Sequence, residues 1–176
     1  LIPIALALRG GGRFTGRGRL MERPQKPYFD IFNEKGISYE QKDGVLTLRG
    51  ELEPGEYRLP GNVSSQFVTG LLYALPLLDG DSGIVLTSPL ESKRYVDMTL
   101  ETLNQFGVTV ENQHCYKRFR IPGGQRFQAR DITIEADWSQ AAFWMAAKFL
   151  GNDLVTEGLN HDSVQGDRSI DKLFVL

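Results

Sequence analysis

The stretch Gln66-Phe67-Val68-Thr69-Gly70-Leu71-Leu72-Tyr73-Ala74-Leu75-Pro76-Leu77-Leu78 decides how this chain is read. Its apolar residues are not confined to one stripe, and a helix without a polar face is buried on all sides. Upstream, Leu59-Pro60-Gly61-Asn62-Val63-Ser64-Ser65 ends a strand, turns at Pro-Gly and opens the helix at two serines. Downstream, Gly83-Ile84-Val85-Leu86-Thr87 is a short apolar strand. A strand, a buried helix and a strand make one βα unit, and parallel strands joined in this way cross over right-handedly.

The unit repeats. Ser65-Gln66-Phe67 returns as Ser139-Gln140-Ala141, 74 positions on, ahead of a second apolar helix reaching Leu150. Tyr28-Phe29-Asp30-Ile31-Phe32 returns as Tyr95-Val96-Asp97-Met98-Thr99, 67 positions on, and more loosely as Ser169-Ile170-Asp171-Lys172-Leu173. Gly36 and Gly107 stop the helices that begin near Tyr28 and Tyr95. Alternating residues then predict strands over Ile37–Gln41, Val45–Arg49 and Tyr57–Leu59, with a hairpin at Asp43-Gly44 and a turn at Pro54-Gly55. The matching strands of the next unit are Val108–Glu111, Tyr116–Ile121 and Asp131–Glu135, with a turn at Pro122-Gly123-Gly124 and a further strand over Asp153–Thr156. The helices near Tyr28 and Tyr95 are amphipathic, so the pattern places buried helices inside and sheets outside. Repeats of this size pack around a pseudo-symmetry axis.

Composition bounds the rest. Of 176 residues, 41% are hydrophobic and 24% charged, which excludes a disordered chain. No apolar run approaches the ~18 residues that span a bilayer, so no membrane is expected as a partner. The net charge of -2 gives no general attraction to nucleic acid, and none is expected. One cysteine, Cys115, and two histidines exclude a disulfide framework and argue against a metal site. A reducing, cytoplasmic setting follows. The chain opens inside an apolar segment, Leu1 to Leu8, stopped by Arg9 and three glycines. No basic region precedes it, so it does not read as a signal peptide. The chain closes in mid-pattern at Asp171-Lys172-Leu173-Phe174-Val175-Leu176. Both ends read as cuts in a longer protein.

Three segments could carry chemistry. Ser64, Ser65 and Gln66 start the buried helix, where free N–H groups and the helix dipole favour a phosphate or carboxylate; an ordinary serine cap reads equally well. Ser92-Lys93-Arg94-Tyr95 opens another helix, and Ser92 and Tyr95, three apart, can face one ligand; the alternative is a cap among solvated charges. Arg23, before Pro24 in a first helical turn, could clamp an anion or lie on the surface. All three lie at equivalent ends of successive units and could converge on one cleft. Other features read more plainly. The Arg9 to Arg19 glycine-rich tract is a turn-rich connection rather than an RNA-binding arm. His114-Cys115 is a hairpin tip rather than a nucleophile. Asp137 is a base or the cap of the helix that follows it.

Five motifs together resemble the enolpyruvyl transferases, in the branch that acts on shikimate 3-phosphate. They are Arg19-x-x-Glu22-Arg23-Pro24, Gly61-x-x-Ser64-Ser65-Gln66-Phe67, Glu91-Ser92-Lys93-x-Tyr95-x-Asp97-x-Thr99-Leu100, Ala136-Asp137-x-Ser139-x-Ala141, and Ser163-Val164-Gln165-Gly166-Asp167. Their order fits along nearly the whole chain. The resemblance implies an α/β fold, an inside-out α/β barrel of βαβαββ units with buried helices, here incomplete. Residues 1–134 would be most of the first lobe without its first unit, and 135–176 the crossover and start of a second lobe.

The family reaction adds the 5-hydroxyl of shikimate 3-phosphate to the enol carbon of phosphoenolpyruvate, then eliminates phosphate, as a step of aromatic amino-acid biosynthesis in the shikimate pathway. It needs no metal and no organic cofactor. By resemblance, Ser64, Ser65, Gln66, Ser92 and Tyr95 bind shikimate 3-phosphate, Arg23 and Gln66 meet phosphoenolpyruvate, and Asp137 has a structural or hinge role. The family's N-terminal lysine would lie before Leu1, and its catalytic aspartate, arginine pair and late lysine after Leu176; Arg168 belongs to a structural turn. No catalytic residue is therefore assigned in these residues, and the chain alone is expected to be inactive. Apolar surfaces at Leu1–Leu8 or Ala141–Leu150 would drive self-association. The alternatives are a relative acting on UDP-N-acetylglucosamine, against which the Ser-Ser-Gln signature argues, and a non-catalytic repeat-built binding module.

Overall fold

Helix α1 (Ile2–Arg9) runs to Gly10, whose φ of 65° gives the left-handed stop expected of a helix C-terminus. The computed structural model describes residues 1–173; Phe174-Val175-Leu176 of the closing pattern lie outside the described residues. The chain divides into two compact units, Leu1–Gln128 and Ala129–Leu176.

In the first unit the glycine tract after α1 is not a turn-rich connection but strand β1 (Gly11–Thr15), which pairs antiparallel with β3 (Val45–Arg49). A Cβ on Gly11 would run into the Leu48 carbonyl, so glycine here allows close strand approach. A 3₁₀ turn (Gly18–Glu22) follows, and α2 (Lys26–Lys35) begins beyond it. Pro27, not Pro24, occupies the first helical turn, where a missing N–H costs nothing. Gly36 closes α2 at φ 70°. Then β2 (Ser38–Lys42) and β3 form the expected hairpin, with Asp43 and Gly44 both at positive φ and Lys42 opposite Val45. This three-stranded sheet has the order β1-β3-β2, and its central strand buries Leu46 and Leu48.

The second sheet has the order β4-β5-β7-β6. Strands β4 (Glu56–Leu59) and β5 (Ser82–Leu86) are parallel, with α3 (Ser65–Ala74) and a short 3₁₀ turn (Leu75–Leu77) between them. Helix α4 (Lys93–Gln105) leads to the hairpin of β6 (Glu111–Gln113) and β7 (Arg118–Ile121). This hairpin begins later than the alternation predicts. Val108 is buried and its N–H donates to the Leu103 carbonyl at 2.8 Å, finishing the helix rather than starting a strand. His114, Cys115 and Tyr116 all take positive φ at the tip. Helix α3 is buried as expected: Phe67, Val68, Leu71 and Leu72 are inside, and it packs between α1 and α4.

The second unit departs most from expectation. Its described residues contain no strand, so neither Asp131–Glu135 nor Asp153–Thr156 forms one. An alternating segment forms a strand only against a partner ladder, and the described residues of this unit hold none. Helix α5 (Trp138–Phe149) matches the predicted start but not the predicted burial. Trp138 and Ala141 are inside, whereas Phe143 is 74% and Trp144 59% exposed. A helix apolar all round needs two covering layers, and the described residues of this unit supply one side only.

Candidate functional site

The site is built from two loops stitched together. Gly61 and Asn62 donate their N–H groups to Ser88 Oγ at 3.0 and 3.2 Å, and the Ser88 hydroxyl donates to Asn62 Oδ1 at 2.8 Å. The Glu91 N–H donates to the Gly61 carbonyl at 3.0 Å. A Cβ on Gly61 would lie 2.7 Å from the Ser88 carbonyl and 3.0 Å from the Leu90 backbone. Glycine is thus required for contact between the loop that enters α3 and the loop that enters α4.

The first loop ends at Ser64, an extended residue whose hydroxyl oxygen accepts the Gln66 N–H at 3.3 Å and caps α3. The second ends at Ser92, held at φ 54°, whose side chain does not cap α4. Its hydroxyl is left facing the space between the two helix starts. A cleft of about 520 Å³ opens there. Ser64, Ser65, Gln66, Ser92 and Tyr95, all singled out from sequence, line it together. Two helix N-termini point positive dipole ends into this region. The arrangement suits an anion with hydroxyl groups. Arg23, exposed after the 3₁₀ turn, does not line this cleft.

The cleft floor is a part that sequence reasoning missed. Thr69, Tyr73, Thr99 and Thr102 continue the lining one and two turns along the same helices. Thr99 donates to the Tyr95 carbonyl at 2.9 Å and Thr102 to the Met98 carbonyl at 2.8 Å. Thr69 stands 3.0 Å from Thr99, so it supplies the proton between them and the floor presents lone pairs. Burial pushes the Tyr73 hydroxyl up, partly offset by its hydrogen bond with Thr102. Their spacing from Ser65 and Ser92, at threes and fours, was the available signal. Tyr28 of α2 was missed as well. Its buried hydroxyl donates to the Phe67 carbonyl at 3.1 Å, pinning the first turn of α3.

In the second unit, Asp137 caps α5, accepting the N–H groups of Ser139 at 2.8 Å and Gln140 at 3.4 Å. The Ser139 hydroxyl donates to Asp167, and Arg168 donates to the His161 carbonyl. Glu135 accepts from Ser163 at 2.6 Å and from Gln165 at 2.8 Å. The Ala-Asp and Ser-Val-Gln-Gly-Asp motifs therefore brace one another. Cys115 is exposed at the hairpin tip, as read. Among the described residues no group of three or more His, Cys, Asp or Glu side chains is placed to hold a metal ion, and no helix is long and apolar enough to cross a membrane.

Comparison with known proteins bears on this geometry. The sequence profile of the family described as EPSP synthase (3-phosphoshikimate 1-carboxyvinyltransferase) matches residues 1–174. The 3-phosphoshikimate 1-carboxyvinyltransferases of Clostridium novyi (strain NT) and Clostridium kluyveri are 49% and 50% identical over 172 residues. Each match covers 97% of this chain, and the chain spans about two fifths of those relatives, 39% and 40%. Among solved structures, the EPSP synthase of Acinetobacter baumannii aligns over 82% of this chain and 32% of its own at 23% identity, with a TM-score of 0.63. The enolpyruvyl transferase NikO of Streptomyces tendae aligns over 87% of this chain and 36% of its own at 18% identity, with a TM-score of 0.62. The α/β fold with inward helices is thus shared with both.

Proposed function

This chain belongs to the EPSP synthase (3-phosphoshikimate 1-carboxyvinyltransferase) family, and from that premise we propose that its cleft is the wall that holds shikimate 3-phosphate. The supporting observation is the convergence of Ser64, Ser65, Gln66, Ser92 and Tyr95 on one cleft at two helix N-termini. The phosphate sits against the hydroxyls of Ser64, Ser65 and Ser92, where dipole ends and free N–H groups meet its charge. Gln66 and Tyr95 orient the sugar-acid ring, and the lone pairs of Thr69 and Thr99 face its hydroxyls. These residues hold and aim the substrate, so that the 5-hydroxyl meets the enol carbon of phosphoenolpyruvate in a near-attack geometry.

The whole reaction is the transfer of the enolpyruvyl group to that hydroxyl, in the cytoplasm. The chain contributes the shikimate 3-phosphate side of it, residues 1–134 forming most of one lobe and 135–176 leading towards a second. Arg23 and Gln66 are its candidates for phosphoenolpyruvate, and Arg23 stands outside the cleft. We expect no steady release of phosphate from this chain alone when both substrates are supplied.

Calorimetric titration with shikimate 3-phosphate, with shikimate as control, tests the assignment. The expected result is binding that requires the phosphate and weakens about tenfold or more in Ser65→Ala, the loss expected for one hydrogen bond to a charged group. Equal affinity for shikimate and its phosphate, or no effect of Ser65→Ala and Ser92→Ala, overturns it.

A further inference from the structure

Helix α4 has a second face that the cleft does not use. Lys93 and Asp97 are one turn apart on it, and both reach the tip of the β6–β7 hairpin. The Tyr116 hydroxyl donates to Asp97 Oδ1 at 2.5 Å. The Lys93 ammonium lies over the Tyr116 ring, 5.5 Å from its centre. The tip holds Tyr116 ready for both contacts. Its backbone has φ 69°, its N–H donates to Asn112 Oδ1 at 3.0 Å, and its ring meets Phe119 edge-on at 6.5 Å. Three successive positive-φ residues, His114 to Tyr116, form this tip, a conformation that persists only where surrounding contacts impose it. Ser92, directly ahead of Lys93, is also at positive φ, and the Tyr95 N–H donates to its carbonyl at 3.1 Å.

The residues that line the cleft and those that grip the hairpin are therefore interleaved at the start of α4: Ser92, Lys93, Tyr95, Asp97. We propose that Tyr116 is a positioning residue for the substrate wall. Through Asp97 and Lys93 it sets the rotation of the first turn of α4, and with it the placing of Ser92 and Tyr95 opposite Ser64 and Ser65. It also holds the Lys93 ammonium over the ring, and Lys93 does not line the cleft. The hydrogen bond to Asp97, helped by burial, holds the Tyr116 hydroxyl above the ordinary tyrosine range, so it remains a donor through neutral pH. The proposal rests on the cleft being the shikimate 3-phosphate wall.

The test uses Tyr116→Phe and Asp97→Asn in this chain, with two readouts. Amide hydrogen exchange at Tyr95 reports the first turn of α4 directly. Calorimetry with shikimate 3-phosphate reports the wall. We expect both variants to speed Tyr95 exchange and weaken binding, each about three- to tenfold, the range of one lost hydrogen bond. Exchange at Leu71 in α3 should be unchanged, and the double variant should be no worse than the weaker single. Unchanged Tyr95 exchange in both variants overturns the proposal, as does faster exchange with unaltered affinity, which would leave Tyr116 a packing residue only. If the wild-type chain fails to bind shikimate 3-phosphate, the functional reading falls separately, while Tyr95 exchange still decides whether the hairpin sets this turn.

Discussion

Gly70 shows how much one missing side chain can matter. It lies inside α3, and a Cβ there would collide with the Tyr28 hydroxyl that holds the Phe67 carbonyl. Alanine is intrinsically the better helix former by about 1 kcal/mol, but overpacking a buried site costs about 1–3 kcal/mol. Gly70→Ala is therefore expected to lower stability in the wild type. In a Tyr28→Phe background, where the oxygen is gone, the same change should be neutral or stabilising. Denaturant melts of the four proteins measure this, and additive effects would refute the contact as the cause. Two buried tyrosines also set the alkaline limit. Burial, with the Glu53 charge, pushes the Tyr57 hydroxyl to about 12, and burial pushes Tyr28 higher still. Their neutral forms are favoured by folding, so that stability is complete below the ordinary value of 10.0 and is lost as pH rises through 12. Tyr57→Phe should flatten the loss in melts taken between these limits.

At the scale of elements, the joined loops and the second-unit motif each have a test. Gly61→Ala would press on the Ser88 carbonyl and the Leu90 backbone and part the entrances to α3 and α4. Shikimate 3-phosphate affinity should fall at least as far as in Ser65→Ala, while the Trp138 indole signal of the second unit stays unmoved. In that unit, burial pulls Glu135 up, but hydrogen bonds from Ser163, Gln165 and Asn160 outweigh it and hold the carboxyl below its ordinary 4.5. A depressed acid stabilises above its unfolded value, and the contribution is lost as pH falls through the lower folded one. Acid titration of the Trp138 indole N–H, which donates to the Asn160 carbonyl at 3.1 Å, should therefore show release below pH 4.5. Glu135→Gln should weaken the same signal already at neutral pH. Helix α5 carries the remaining expectation. With Phe143 and Trp144 exposed, the chain should associate as concentration rises, and sedimentation of Phe143→Lys should return it towards monomer.

At the scale of the molecule, local chemistry was legible from sequence and neighbourhood was not. Gly10, Gly36 and Asp43-Gly44 ended helices and turned the hairpin as read, because each acts through its own φ or its nearest residues. The burial of α3 was legible because it has no polar face to leave outside. The family was legible too, because its signature combines motifs whose spacing is a property of the chain. What failed depended on partners distant in sequence. Asp131–Glu135 alternates like a strand and finds no ladder among the described residues of its unit; α5 is as apolar as α3 and lacks its cover among them; Gly11 reads as a stop and is the one residue that fits against the Leu48 backbone. The site divides the same way. Ser64, Ser65, Gln66, Ser92 and Tyr95 were identified by type and spacing, but their meeting in one cleft rests on the contacts of Gly61 with Ser88 and of Tyr28 with Phe67, which the order of residues along the chain does not reveal. The sequence by itself determined the repeat, the buried helix, the family and the candidate residues for an anion site, since each follows from the order of side chains along the chain. Only the tertiary structure decided which of them share a surface and left Arg23 off it, since that follows from close backbone contacts between segments far apart in the sequence.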